Sequence, residues 1–383
     1  MIVLVRTLLA PLLSLVFMNI ACGFFNTYVS VRLDIQGYRA DTIGIVSAAL
    51  YGGVLLGSLL LGRWINRVGH IWAFTVFSAT SAALIFAHSF WIDPLYWSVL
   101  RLLCGVCLAG IFIVVESWFL LQSTAENRGG ALSIYLAVFY LALSLGQFVI
   151  NFAPIESSAP FFITSSLLLG SILPIRRAKQ SAPAPQSNAV PMRLIDLFRA
   201  SPVGFWGGIV SGMVLGATYS LVPVYALTEG LMMFELGLLM AILIFGGLSL
   251  QWPMGRWSDK GARRRVLQWA CMAASAFSIA IALVGSVSQV LLFAMMWFFG
   301  GFTFTIYPLS MAYLCEKVPQ EQIVSATGGF VLCYAAGAIA GPLIGAFAMD
   351  LLGPAGLFYF IGLVTYLLGA SAVEKKSSVP TEK

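Results

Sequence analysis

Apolar stretches of about 20 residues recur along this chain from end to end, and a helix of that length crosses the hydrocarbon core of a bilayer. Twelve such runs fall near 8–31, 41–62, 71–92, 96–121, 129–154, 159–175, 202–225, 234–255, 266–287, 289–314, 323–349 and 354–373. Strand-type alternation is absent from them, which argues against an outer-membrane barrel. The chain is 60% hydrophobic and only 9% charged, too few charges to clothe a soluble domain. Its 37 Gly and 16 Pro include many inside the apolar runs, a placement tolerated where neighbouring membrane helices satisfy the freed backbone groups. The expectation is an all-α membrane protein of twelve transmembrane helices.

Two basic turns sit 193 residues apart, close to half the length of 383. The first is Gly62-Arg63-Trp64-Ile65-Asn66-Arg67-Val68-Gly69-His70, and the second is Gly255-Arg256-Trp257-Ser258-Asp259-Lys260-Gly261-Ala262-Arg263-Arg264-Arg265. At the same offset Gly37 matches Gly230, Gly44 matches Gly237, Leu50 matches Leu243 and Gly53 matches Gly246. Repetition of this kind indicates two six-helix pseudo-repeat bundles, a transporter architecture. Between them, Arg176 to Ser187 is basic and then rich in Pro, Ala and Ser, a linker composition. The expected division is an N-terminal bundle over 1–178, a linker over 179–200, a C-terminal bundle over 201–373 and a tail over 374–383.

Charge sets the expected orientation. With the N-terminus inside, nearly all Lys and Arg fall in cytoplasmic segments, and only Arg32, Arg39 and Arg101 fall toward the outside. Both termini are therefore expected to be cytoplasmic, in a bacterial inner membrane. Arg6 precedes an apolar run too long for a cleavable signal peptide, so that run reads as the first span. The net charge of +6 reads as topology signal and contact with anionic headgroups rather than as a nucleic-acid surface. The expected partners are the lipid bilayer and a small-molecule substrate, with no nucleic acid, and a monomer is expected. The six Cys lie in or beside apolar runs and read as buried thiols. Cys104-x-x-Cys107 lacks a second pair or a nearby His, so no metal site or cofactor is expected.

On these residues the chain resembles the major facilitator superfamily. The second basic turn, with Gly255, Asp259, Lys260, Arg263 and Arg264, is the better copy of that family's loop motif. The first departs from it, with Asn66 where Asp is usual, beside Gly62 and Arg67. Arg101-x-x-x-Gly105 resembles the family motif of the fourth span, and Gly337-x-x-x-Gly341-Pro342-x-x-Gly345 its Gly-Pro packing motif. Val114-Val115-Glu116-Ser117, Glu126-Asn127-Arg128-Gly129, Gln251 to Arg256 and Cys315-Glu316-Lys317-Val318 look like the YcaD-like bacterial subgroup. The resemblance implies gating roles for the two loop motifs and a cavity lined by the first, fourth, seventh and tenth spans. Relatives linked to riboflavin or copper leave the substrate open.

Glu116 is the most informative side chain. A carboxylate within a span costs roughly 2.5–3.5 kcal/mol at a helix centre, so it is expected to face a cavity and to respond to protons; the other reading is a fixed structural partner. Arg101 lies about 22 Å away on the same helical stripe and is the second candidate for proton coupling, or else snorkels to the outer interface. The candidate cavity residues are Asn19, Asn26, Tyr28, Tyr140, Gln147, Tyr219, Trp297 and Tyr307. Aromatic walls with a few amides suit a flat, largely neutral organic solute.

The leading function is a secondary transporter of a small organic solute by alternating access, coupled to protons. The alternatives are uptake of riboflavin or copper, or multidrug-type efflux. No phosphate-binding Gly-x-x-x-x-Gly-Lys-Ser/Thr is present, so ATP is not expected to drive it. An intramembrane enzyme would need acid–base equipment that two His do not supply. A transporter-like sensor would be expected to carry an output domain larger than the short tail.

Overall fold

The computed structural model describes residues 2–121, 128–177, 192–285 and 287–372; most of the expected linker, Glu126, Asn127 and the tail lie outside them. The N-terminal half contains α1 (Ile2–Ile35), α2 (Ala40–Val68), α3 (His70–Ala87), α4 (Pro94–Leu121), α5 (Arg128–Gly146) and α6 (Ala159–Arg177). A short α7 (Leu194–Ala200) leads into the second half: α8 (Pro202–Thr228), α9 (Met233–Trp257), α10 (Arg263–Val284), α11 (Gln289–Glu316), α12 (Ile323–Leu352) and α13 (Gly356–Ser371). Eleven of these helices are long and apolar enough to cross a membrane. The twelfth, α13, has 16 residues and is about 24 Å long. The side holding the end of α6 and the start of α8 is termed the linker side, and the opposite one the far side.

The sequence repeat is visible in the backbone. Gly37 and Gly230, matched at the 193 offset, both have φ of +82°. Each ends its helix with the same pair of bonds: Gly37 N–H to Asp34 O and Tyr38 N–H to Leu33 O, against Gly230 N–H to Leu227 O and Leu231 N–H to Ala226 O. This closure needs a left-handed residue, which glycine adopts without a Cβ clash.

Helix crossings repeat as well. In the first half a Cβ on Gly105 would strike the Leu50 carbonyl, and one on Gly53 the Leu102 carbonyl. In the second half Gly300 lies against the Leu243 carbonyl and Gly246 against that of Trp297. Leu50 and Leu243 are again a matched pair. The α8/α12 crossing uses Gly212, Gly337 and Gly341 against the carbonyls of Tyr334, Ile209 and Met213. Lipid is as apolar as leucine, so close backbone approach, rather than escape from water, holds such helices together.

Three stretches depart from expectation. The second basic turn is helical: α9 passes through a π-helical turn, Ser258–Ala262, into α10. Arg263 anchors it, pairing with Asp259 at 3.8 Å and donating to Ala312 O at 3.2 Å on α11. The linker region ends in α7, where Leu197 is buried beside Leu314, Val318 and Phe330. The fifth span narrows to a 3₁₀ turn at Gln147–Asn151, where Gln147 bonds sideways to α1, accepting from Thr27 Oγ1 at 2.7 Å and donating to Gly23 O at 2.9 Å.

The repeated crossings make a direct prediction. Gly105→Val and Gly300→Val should each cut the yield of monodisperse protein severalfold, because added volume in a packed contact costs roughly 1–3 kcal/mol. Gly255→Ala, where a Cβ meets nothing within 4 Å, should leave the size-exclusion profile unchanged.

Candidate functional site

Tyrosines line the space between the two halves. Tyr51 on α2, Tyr140 on α5, Tyr219 on α8, Tyr307 on α11 and Tyr334 on α12 are all half-buried. Phe304 joins two of them, with ring centroids 5.7 Å from both Tyr140 and Tyr219. Tyr307 packs on Tyr334 at 5.1 Å and on Phe330 at 5.2 Å. The hydroxyl of Tyr219 lies within electrostatic range of those of Tyr51, Tyr140 and Tyr334, that of Tyr334 within range of Tyr51, Tyr140 and Tyr307, and that of Tyr307 within range of Tyr140. Among the described residues none of these five hydroxyls bonds to the protein, and none is sealed off as a buried orphan. They are open to a solute. A wall of rings with free hydroxyls stacks a flat molecule and still offers it donors and acceptors.

Glu116 opens onto the same space. It is exposed although it belongs to a membrane helix. Tyr135 Oη donates to its Oε1 at 3.3 Å, and the Tyr307 hydroxyl lies within its electrostatic range. The ring chain Phe119–Tyr135–Phe139–Tyr140 runs from this carboxylate toward Phe304. Glu116 lies five residues, about 7.5 Å, before the last residue of α4. With 28 residues, α4 is about 42 Å long and overshoots the hydrocarbon at both ends. Glu116 thus lies nearer the linker-side end of α4 than its middle.

Several expected cavity residues belong elsewhere. Asn19 is fully buried, with both amide atoms unpartnered, and does not face the cavity. Tyr28 is also fully buried: its hydroxyl donates to Ile155 O and its ring meets Phe161 at 5.2 Å, inside the first half. Gln147 is consumed by its bonds to α1. The Trp297 ring meets Phe298 at 4.8 Å and none of the cavity rings. Asn26 turns its Oδ1 to Arg101 at 2.8 Å, and both line a separate cavity within the first half. Tyr140, Tyr219 and Tyr307 are brought near one another where the halves meet. Tyr51 and Tyr334 lie on the second and eleventh spans, outside the first, fourth, fifth, seventh and tenth from which candidates were drawn, whereas Phe304 lies on the tenth and carries no polar group to mark it. For the two tyrosines, an aromatic hydroxyl inside an apolar run was the available signal.

On the far side the halves touch. Gly44 on α2 lies against the Pro342 carbonyl and the Ala346 methyl of α12. Arg39 donates to Asp350 Oδ2 at 3.1 Å and lies 3.8 Å from Asp41. The Asp350 hydrogen bond holds the Arg39 guanidinium above its ordinary pKa, so it stays charged at any physiological pH. Across α5 and α9, Ser144 Oγ donates to Ala241 O at 3.0 Å, and Gly237 lies on the Gln147 carbonyl. At Gly255, near the linker-side end of α9, an added Cβ would meet nothing within 4 Å.

The basic motifs lie on the linker side. Gly62, Asn66 and Arg67 occupy the last two turns of α2. That helix ends at Gly69, whose φ of +84° makes a one-residue joint to α3. In the second motif Arg263 lies 3.8 Å from Asp259 and 3.9 Å from Glu316, linking the π turn to α11. Arg264 Nε donates to Ala372 O at 3.0 Å just past α13, where a cation suits the negative helix end. Lys260 is exposed on the π turn.

With this geometry in hand, three comparisons bear on the chain. The sequence profile of the Major Facilitator Superfamily matches residues 2–321 and again 234–381. The MFS-type transporter YcaD of Escherichia coli is 31% identical over 369 residues, covering 94% of each chain. The same protein from Shigella dysenteriae matches equally. Among solved structures, the nucleoside transporter NupG aligns with a TM-score of 0.78 at 15% identity, over 96% of this chain and 98% of that one. A D-xylose-proton symporter aligns with a TM-score of 0.73 at 13% identity, over 96% and 97%.

The far-side contacts separate packing from charge. Take a chain with its native cysteines replaced and a Tyr51→Cys probe in the cavity. Gly44→Leu should raise severalfold the rate at which an impermeant thiol reagent reaches the probe from the far side. Arg39→Ala should raise it much less, because Arg39 is exposed and solvent screens its pair. A larger effect from Arg39→Ala would make the seal electrostatic.

Proposed function

Because the chain belongs to the Major Facilitator Superfamily, we propose that it is a secondary active transporter of a small, flat, largely neutral organic solute. It works by alternating access between its halves and is driven by protons. The observation that carries the reading is the set of five tyrosine hydroxyls, unbonded among the described residues, gathered where the halves meet. Ring faces and hydroxyls suit an organic solute better than a metal ion, whose soft forms seek sulfur or imidazole. The names of the structural neighbours, a nucleoside transporter and a xylose-proton symporter, are in keeping with a polar organic cargo.

The linker side is assigned to the cytoplasm of a bacterial inner membrane, with both termini there. Arg63, Arg67, Arg176, Arg177, Arg256 and Arg263 to Arg265 lie at that side, while the far side holds Asp34, Asp41, Asp93, Glu156 and Glu235. This follows the positive-inside rule. The conformation is then sealed outside and open inward. The assembly is assigned as a monomer.

Glu116 is assigned the coupling role. A carboxyl group at a wet, ring-lined mouth changes its surroundings as the cavity opens and closes, and so can bind a proton in one state and release it in the other. Tyr135 holds the carboxylate in place. The test uses proteoliposomes loaded with a pH-sensitive dye and offered nucleosides, pentoses and flavins in turn. At least one solute should drive proton movement through the wild-type chain, and Glu116→Gln should abolish it while solute exchange persists. Solute accumulation that is unchanged in Glu116→Gln under an imposed pH gradient would remove Glu116 from the mechanism.

A further inference from the structure

Arg101 carries a charge that its surroundings do not balance. It is 4% exposed, seven residues into α4. One guanidinium nitrogen donates to Asn26 Oδ1 at 2.8 Å, and the guanidinium carbon lies 5.8 Å from the centre of the Phe25 ring. Its Nε is buried with no partner. Asn26 and Phe25 are both uncharged. The ion pairs among the described residues join Arg39 to Asp41 and Asp350, and Arg263 to Asp259 and Glu316; none includes Arg101. A buried cation without a counter-charge is among the most expensive arrangements a protein can hold, and one amide and one ring face do not offset it.

Beside this guanidinium lies a cavity of about 40 Å³ inside the first half, bordered by Cys22, Phe25, Asn26, Ser81, Arg101 and Cys104 among others. A single water needs about 10–15 Å³ on this measure, so the cavity has room for about three water-sized atoms. That is the size of a carboxylate or another small monoanion. The border supplies no negative group. It does supply donors: Nη1 of Arg101, which among the described residues has no protein partner and is not sealed off, and the amide NH₂ of Asn26, whose oxygen is turned to Arg101. A planar guanidinium fork is the side chain best matched to a carboxylate.

We propose that Arg101 and Asn26 form a binding site for a small monoanionic group of carboxylate size within the N-terminal bundle. The site is separate from Glu116, which lies about 22 Å away along the same helix. It adjoins the tyrosine-lined space, because Tyr51 lies within electrostatic range of both Arg101 and Tyr219. Two sources share this chemistry. A transported solute could place its own carboxylate here, or a free anion such as chloride or formate could occupy the site. The inference does not depend on proton coupling, and its test reads binding rather than transport.

Cys104 borders the cavity, and Cys271 lies buried in the other half, so the two thiols serve as reporter and control. Purified full-length protein would be modified with the small neutral reagent methyl methanethiosulfonate, and each cysteine would be read by peptide mass spectrometry. Sodium formate, sodium chloride and sodium benzoate would be titrated against sodium isethionate at constant ionic strength. The expected result is a saturable, severalfold slowing of Cys104 modification with no change at Cys271, lost in Arg101→Gln and weakened in Arg101→Lys. Protection by formate and chloride assigns the site to a free anion; protection by benzoate alone assigns it to the carboxylate of a larger solute. Either supports the site. Wild-type Cys104 protected equally by every salt would overturn it, even if Arg101→Gln failed to fold. So would undiminished protection in Arg101→Gln.

Discussion

Helices in a bilayer gain little by hiding apolar faces from lipid, so this fold depends on backbones that come close enough to touch. Gly53 and Gly105 join α2 to α4, Gly246 and Gly300 join α9 to α11, and Gly212, Gly337 and Gly341 join α8 to α12. Each contact places a Cα hydrogen where any side chain would strike a carbonyl. These crossings make each half a stiff body. A stiff half can tilt against its neighbour as a unit, whereas a loosely packed one would deform locally instead.

Between the halves the same glycine-on-carbonyl approach is joined by exposed polar contacts. Gly44 against Pro342, Ser144 to Ala241 and the exposed Arg39–Asp350 pair lie on the far side. Below them the interface gives way to tyrosines whose hydroxyls have no protein partner. A surface made to separate and rejoin is suited to weak, polar contacts, and a solute that satisfies those hydroxyls could favour one arrangement over another. The two charges of α4 sit apart: Glu116 opens toward this space near the linker side, and Arg101 lies near the far side in the separate cavity of the first half.

Much of this was legible in the sequence. Apolar runs and sparse charge determine the helical membrane class, and the 193-residue offset recovers matched glycines that share the same backbone angles. Both basic motifs follow their apolar runs, but neither is a simple turn: the first continues α2 to Val68 and the second is a π turn, which leaves no pattern of apolar spacing to read. The site was only partly legible. Tyr140, Tyr219 and Tyr307 were chosen by span, yet Tyr28, Gln147 and Asn19 lie on the same kinds of span and point into the first half. Which face of a helix meets the cavity depends on its rotation against neighbours. In a span apolar on every side, no amphipathic stripe reports that rotation. The isolation of Arg101 from any carboxylate is a tertiary fact that no local window contains.

Alternating access requires the two halves to rock as rigid bodies about the tyrosine-lined space, sealed on one side at a time. Spin labels on exposed linker-side positions, Arg63→Cys with Lys317→Cys, and on exposed far-side positions, Gln36→Cys with Met232→Cys, would report both ends. Distances would be measured in lipid by pulsed electron resonance at acid and alkaline pH, with the native cysteines replaced. The account predicts opposite shifts, the linker-side distance shortening in the condition where the far-side distance lengthens. Distances that stay fixed, or that lengthen and shorten together, would contradict it.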